Sequence, residues 1–386
     1  MRHSIKRLLK SQIEKDLGRK MVFLAGPRQV GKTTLALEIL KSDEKSNRYI
    51  NWDTPKGREA CLTQTFPSGK GILILDEIHK YPRWRNLLKG LYDSRKSELK
   101  ILVTGSAKLD QYRKGGDSLQ GRYHFLRLHP LAFWELPNPS QNSLLDLLNF
   151  GGFPEPYSLR SEAESRRWSR DYRSRVIREE LTSLENVLDI TAVEEMALRL
   201  PDLVGSPLSL NGLREDLGVS HVTVARWVHI LENLYQIFRV SPFGSPRIKA
   251  LKKESKHYHF DWNLVQTPGA RFENFMGSHF LNICHWLEDT QGYSMDLRYF
   301  RDREQREVDF VIIKDRQPIL AVECKTSSGP STASLRYLKA KFPKVEHIQV
   351  TLNPSRDVRD AHGIRHCDAK TLLSELPKLL TELPVA

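Results

Sequence analysis

The chain has 386 residues, with 60 Lys and Arg against 47 Asp and Glu and a formal net charge of +13. That length implies two or three domains. Hydrophobic residues make up 39% and charged residues 28%, the balance of a soluble globular protein. The mean hydropathy of −0.48 and the lack of any run near ~20 apolar residues argue against a membrane protein. Cys61, Cys284, Cys324 and Cys367 lie far apart with no CxxC pair. This speaks against a zinc ribbon or disulfide scaffold and for a reducing cytoplasm.

The charge is uneven. Residues 1–135 hold 27 basic and 14 acidic residues, a net of +13, while 136–195 come to −4, 196–262 to +3 and 263–386 to +1. A pI near 9.5 is compatible with a nucleic-acid partner. Residues 1–20 read as a basic amphipathic helix through Ile5, Leu8, Leu9, Ile13 and Leu17, without the apolar core of a secretory signal. Strands follow over 21–25, 49–53, 72–75, 100–104 and 125–128, alternating with helical periodicity. That order implies a parallel sheet covered by helices, spanning 21–136.

Between the first strand and its helix lies Gly26-Pro27-Arg28-Gln29-Val30-Gly31-Lys32-Thr33-Thr34, a complete P-loop in the strand–loop–helix setting it requires. Its glycines let backbone N–H groups curl round phosphate oxygens at a helix N-terminus. Lys32 is placed to reach the β- and γ-phosphates of ATP, and the Thr33 hydroxyl to ligand Mg²⁺. Asp76, ending the third strand, is the second carboxylate for that ion, and Glu77 can polarise the attacking water.

The Asp76-Glu77 pair followed by a strand ending at Thr104 resembles the AAA+ class of ATPases. The resemblance implies a γ-phosphate sensor at Thr104 or Ser106. It also implies an arginine finger at Arg122 that acts in trans, and with it a homo-oligomer, a ring or filament, of which a hexameric ring is the expected form.

Pro137, Pro139 and Ser140 mark a break, and 137–200 is helical, a lid or linker. In 201–262 a helix, a Gly218 turn and a Ser220 N-cap precede a second helix over 221–233 and a strand with a basic 247–256 segment. This reads as a winged helix-turn-helix, with Val222, Ala225, Val228 and Leu231 inward and Ser220, His221, Thr223 and Arg226 offered to DNA. The bland alternative is a winged helix used for protein packing.

The last segment, 263–386, returns to mixed α/β character. Glu307-Val308-Asp309 opens one strand and Glu323-Cys324-Lys325 ends the next, joined by a polar turn at 314–317. Residues two apart share a strand face, so Glu323 and Lys325 point together with Asp309 able to sit opposite. Two close carboxylates need a divalent metal between them, Mg²⁺ or Mn²⁺, and Lys325 can orient water. Glu273 lies on the apolar stripe Met276, Phe280, Cys284 and Leu287 of the preceding helix, where an acid is costly unless paired or metal-bound. The arrangement resembles the PD-(D/E)XK nuclease superfamily, with Val308 in place of its Pro, and Glu273 resembles the helix glutamate of archaeal Holliday-junction resolvases.

Taken in order, Gly26 to Thr34, Leu75 to His79, Thr104 to Ser106, Leu119 to Glu135, Gly151-Gly152-Phe153-Pro154-Glu155, Glu307 to Asp309 and Glu323 to Lys325 resemble a widespread prokaryotic family. Its members join an AAA ATPase to a C-terminal domain of unknown function. ATPase followed by winged helix also resembles the RuvB branch-migration motor.

The fold class expected is therefore α/β multidomain: a P-loop AAA+ sheet with a helical lid, a winged helix-turn-helix and a restriction-endonuclease-like domain. The implied function is an ATP-driven motor with a metal-dependent endonuclease acting on branched DNA such as Holliday junctions. Lys56, Arg58 and Lys70 are the candidate DNA-gripping loop residues of the basic N-terminal third. The competing reading is a nucleotide-switched regulatory or defence ATPase whose nuclease-like domain binds DNA or protein without cutting.

Overall fold

The structure is a computed structural model that describes residues 5–105, 109, 119–184, 190–244 and 255–384. Ser106 and most of the basic 247–256 run lie outside the described residues. The chain divides into two units, Met1–Leu131 and Ala132–Ala386.

The first unit is built from α1 (Lys10–Asp16), β1 (Met21–Ala25), α2 (Lys32–Leu40), β2 (Tyr49–Asn51), α3 (Pro55–Leu62), β3 (Gly71–Asp76), α4 (Trp84–Arg95), β4 (Leu99–Thr104) and β5 (Tyr123–Arg127). The strands form one sheet in the order β2-β3-β4-β1-β5, and every pairing is parallel. All five residues of β1 are buried, as its unbroken apolar run requires of a strand covered on both faces. Phe23 stacks on Tyr123 of β5 at 4.3 Å between ring centroids. β3 extends to Asp76 itself, which carries that carboxylate to the carboxyl edge of the sheet, where α/β folds bind ligands.

The helix expected over 1–20 is confined to α1 among the described residues. Arg7 precedes it and is buried, donating to Val30 O at 3.1 Å and to His129 O. That cation braces the P-loop backbone instead of standing on the surface.

The second unit begins with helices α5 (Gln141–Phe150), α6 (Pro154–Leu159), α7 (Glu162–Leu184) and α8 (Ile190–Arg199), then α9 (Leu210–Leu217) and α10 (His221–Asn233). Ser209 and Ser220 cap α9 and α10, each accepting from the backbone N–H three residues on, a standard N-cap. The antiparallel pair β6 (Ile237–Pro242) and β7 (Lys256–His259) follows.

The long helix α11 (Pro268–Gln291) leads into β8 (Met295–Arg301), β9 (Glu307–Lys314), β10 (Gln317–Lys325), α12 (Ala333–Lys341), β11 (Glu346–Thr351), β12 (Val358–Arg359), β13 (Arg365–Asp368) and α13 (Ala369–Glu382). One eight-stranded mixed sheet runs β12-β13-β11-β10-β9-β8-β6-β7. The strands β6 and β7, expected in a separate 201–262 segment, thus continue the sheet of 263–386 through a parallel β6–β8 pairing.

Three local features fix the region that matters. The β9–β10 hairpin turns on Asp315 and Arg316, both at positive φ (49° and 71°), the backbone of a two-residue type I′ connection. Edge strand β7 is held by Asn274 of α11, whose side chain accepts from His259 N at 2.7 Å and donates to His259 O at 2.8 Å. Gly277 lets α11 approach β9, since a Cβ there would stand 2.8 Å from Phe310 Cζ.

Candidate functional site

The P-loop closes tightly on the sheet. Gly26 has φ +144°, and a Cβ there would stand 2.1 Å from Leu128 O, so only glycine fits. Gly31, at φ 94°, is the N-cap of α2. Lys32 Nζ donates to Gly26 O at 3.0 Å and Pro27 O at 2.6 Å, arching back along the loop it belongs to.

Asp76 is the hub of this site. It accepts from the hydroxyls of Thr33 at 3.0 Å, Tyr49 at 2.7 Å and Thr104 at 2.5 Å. Thr33 and Asp76 are therefore adjacent, and Thr104, the last residue of β4, joins them on the same carboxylate. Tyr49, which the sequence did not single out, joins them because β2 pairs with β3. Glu77 follows in the left-handed region, at φ 55°. Burial raises its pKa against the opposing charges of Lys80 and Lys32, a shift that makes a carboxylate a stronger base.

Arg122 is held inside its own chain. Its Nε and one terminal nitrogen donate to the two Asp93 oxygens at 2.8 and 3.1 Å. The DNA candidates differ among themselves. Lys56, Arg58 and Lys70 are all exposed, and Arg58 alone of the three also donates its Nε to Trp52 O, at 3.0 Å, among the hydrogen bonds of the described residues.

In the second unit Asp309, Glu323 and Lys325 lie at neighbouring positions of β9 and β10, and Glu273 of α11 shares the Lys256 ammonium with Asp309. Cys324 N donates to Asp309 Oδ2 at 2.9 Å, and Lys325 Nζ pairs with Glu323 Oε1 at 2.8 Å. Glu323 Oε2 is buried and has no hydrogen-bond partner among the described residues. Burial, and then the neighbouring Asp309 charge, push the pKa values of both Glu323 and Glu273 up to about 7.

A lysine that the sequence places only in the basic 247–256 segment completes the cluster. Lys256 of β7 is fully buried, with Nζ 2.7 Å from Glu307 Oε1, 3.0 Å from Glu273 Oε1 and 3.5 Å from Asp309 Oδ1. Burial alone would lower its pKa, but Glu273, Asp309 and Glu307 outweigh it and hold the ammonium charged. Tyr258, two residues along the same strand, donates to Glu273 Oε1 at 2.6 Å. Glu273, expected as a metal ligand, thus has its Oε1 taken by a lysine and a tyrosine. Among the described residues no group of three or more His, Cys, Asp or Glu is arranged to hold a metal ion. Removing one member of such a buried ion cluster costs about 3–5 kcal/mol.

Helix α10 presents Ser220, His221 and Arg226 on its exposed side, with Thr223 half-buried. Val222, expected inward, is 76% exposed and Ala225 is half-buried, whereas Val228 and Leu231 are buried as expected, together with Val224, Trp227 and Ile230. Ser220 Oγ is engaged as the cap and lies 2.8 Å from Thr223 Oγ1. Among the described residues no helix is long and apolar enough to cross a membrane.

The phosphate loop, the Asp76-Glu77 strand end and the all-parallel five-stranded sheet define an AAA-type ATPase domain. Residues 18–137 match the family described as an AAA domain. Residues 141–268 and 268–367 match two domains of unknown function, DUF8612 and DUF4143. An uncharacterized protein of Mycobacterium tuberculosis, Rv2008c, is 23% identical over 326 residues, covering 81% of this chain and 71% of its own. An uncharacterized protein of Methanocaldococcus jannaschii, MJ1637, is 25% identical over 402 residues, covering 86% and 82%.

Among solved structures, the Thermotoga maritima RuvB Holliday junction branch migration motor aligns at 20% identity over 60% of this chain and 88% of that one, with a TM-score of 0.30. AMPPCP-bound DnaA from Aquifex aeolicus aligns at 14% identity over 58% and 86%, with a TM-score of 0.27. Superpositions this loose carry no argument; the assignment rests on the P-loop and the family match.

Proposed function

We propose that the protein is an ATP-driven, DNA-processing enzyme whose C-terminal unit hydrolyses phosphodiester bonds at Asp309, Glu323 and Lys325, acting on branched DNA. The observation that carries the reading is the bond from Cys324 N to Asp309 Oδ2, which ties the first carboxylate to the centre of the Glu323-Cys324-Lys325 triplet. Glu323 Oε2, buried and unpartnered among the described residues, is an acceptor of the kind a divalent cation takes. Such an ion would neutralise phosphate charge and acidify a water. Asp309 and Glu323 would hold it, and Lys325 would steer the water to phosphorus as the P–O bond to the leaving oxygen breaks.

In the ATPase domain, Lys32 and the loop amides would bind phosphates, Thr33 and Asp76 would share Mg²⁺, Glu77 would take the proton of the attacking water, and Thr104 would sense the γ-phosphate. Arg122 would serve a neighbouring subunit of a ring once its pair with Asp93 opens. Ser220, His221, Thr223 and Arg226, with Lys56, Arg58 and Lys70, are the proposed DNA contacts. The tests are Mg²⁺ or Mn²⁺ assays on four-way junctions, flaps and linear duplex, with and without ATP. Cutting by wild type that is lost in Asp309→Ala supports the reading, and equal inertness of both on every substrate removes it.

One observation favours a second reading. The Lys256 ammonium sits among three of the acids, which suits a nuclease-like domain that binds without cutting under the control of a nucleotide-switched ATPase. It predicts slow ATP turnover and no metal-dependent cleavage.

A further inference from the structure

The carboxylate cluster has two unlike sides. On one, Glu273, Glu307 and Asp309 Oδ1 converge on the Lys256 ammonium within 3.5 Å. On the other, Asp309 Oδ2 accepts from Cys324 N, Glu323 Oε1 takes Lys325, and Glu323 Oε2 has no partner among the described residues.

Lys256 is not a surface lysine that has folded inward. Lys256 itself is paired on both sides, with Val240 of β6 and in an isolated bridge to Pro207, and Leu208 N donates to Ser255 O at 2.9 Å beside it. The ammonium is 5.7 Å from the Tyr299 ring centroid. Tyr258, on the same face of the strand, bonds the Glu273 oxygen that Lys256 holds. A fixed cation so placed repels a second cation brought to the same three acids, and the repulsion is strong where water is excluded.

We propose that Lys256 is the resident cation of this cluster: it takes the place beside Glu273, Glu307 and Asp309 and leaves Asp309 and Glu323 to hold a single divalent ion. The inference rests on the metal-dependent reading of Asp309 and Glu323 given above. It makes Glu273 a partner of Lys256 instead of a metal ligand, and it gives the centre one ion where three clustered acids and no lysine would take two.

The test is Mn²⁺ titration of the nucleotide-free full chain, followed by the electron paramagnetic resonance of free Mn²⁺, for wild type, Glu323→Gln, Glu273→Gln and Lys256→Met. Wild type binds one Mn²⁺ at this centre. Glu323→Gln weakens it by at least about tenfold, the scale on which even an outer-shell partner is felt, while Glu273→Gln leaves it unchanged. Lys256→Met gains a second Mn²⁺, which is lost again in Lys256→Met/Glu273→Gln.

Should Lys256→Met fail to fold, the contrast between Glu323→Gln and Glu273→Gln still decides. Equal weakening by both, or wild type binding two ions or none, overturns the proposal. DNA cleavage on the same samples separates the two claims, because the predicted Mn²⁺ pattern without cutting removes the nuclease reading and leaves the role of Lys256 intact.

Discussion

The Cys324 amide donates to Asp309 Oδ2 at 2.9 Å, so a backbone group of β10 aims the carboxylate of β9. The Val322–Phe310 pair is the last in the antiparallel register, and Glu323 and Asp309 come next on their strands. The bond needs an acceptor oxygen but no charge. Asn at 309 can still accept it, which makes Asp309→Asn a probe of the charge that keeps the geometry.

The ATPase domain gives the firmest expectation. Lys32 lies in the P-loop beside the carbonyls of Gly26 and Pro27, and the only cation of that loop besides Arg28 is lost in Lys32→Ala. ATP turnover should fall at least about a hundredfold, as when a preorganised charge-stabilising donor is removed. A phosphate-release assay checks it, with circular dichroism to verify the fold.

Arg122 and Asp93 separate a finger from a surface pair. If Arg122 completes a neighbour's site, Arg122→Ala should lower kcat about a thousandfold, the lower end for such residues, with assembly unchanged. Asp93→Asn, which frees Arg122 from its bidentate partner, should leave kcat equal or higher. Steady-state ATPase kinetics alongside light scattering read both.

Gly277 tests the packing of α11 on β9. A methyl at that position meets Phe310 Cζ at 2.8 Å, and Phe310 is fully buried. Gly277→Ala should destabilise the second unit by about 1–3 kcal/mol, the cost of overpacking a close-packed core. Urea denaturation followed by tryptophan fluorescence measures it.

Asp261 gives a pH-dependent expectation. It is buried and accepts from Ser169 Oγ at 2.5 Å. Burial, partly offset by that bond and by Arg173 and Arg271, pushes its pKa up to about 6. The folded state therefore binds the proton more tightly than the unfolded chain. The stabilisation is full below the unfolded pKa near 4 and is lost as pH rises through 6. From pH 4 to pH 7 the stability of Asp261→Asn relative to wild type should rise by about 2 kcal/mol. Urea melts of both proteins across that range give the slope.

How far these features can be read from the chain depends on the range of the forces behind them. The P-loop is legible because its backbone demands glycine at 26 and 31 locally, and the β3 strand end brings Asp76 with it. The Glu307–Lys325 hairpin is legible from alternation and a polar turn. Lys256 is not, because Lys252, Lys253 and Lys256 look alike until β7 is known to pair between β6 and Pro207.

Helix α10 misleads for a related reason. Val222, Ala225 and Val228 keep a helical spacing as good as Val224, Trp227, Val228 and Leu231, and the second set is the one the fold buries. Likewise, nothing local announces that β6 joins β8 and draws the hairpin into the C-terminal sheet.

The most direct measurement is the cleavage rate of a labelled four-way junction in Mn²⁺ by wild type and by Asp309→Asn, each first matched for ATP hydrolysis and thermal stability. Discrete cleavage products from wild type, lost at least about a hundredfold in Asp309→Asn with ATP hydrolysis unchanged, is the predicted result. Wild type that turns over ATP yet leaves the junction, a flap and a linear duplex uncut at every Mn²⁺ concentration would contradict it.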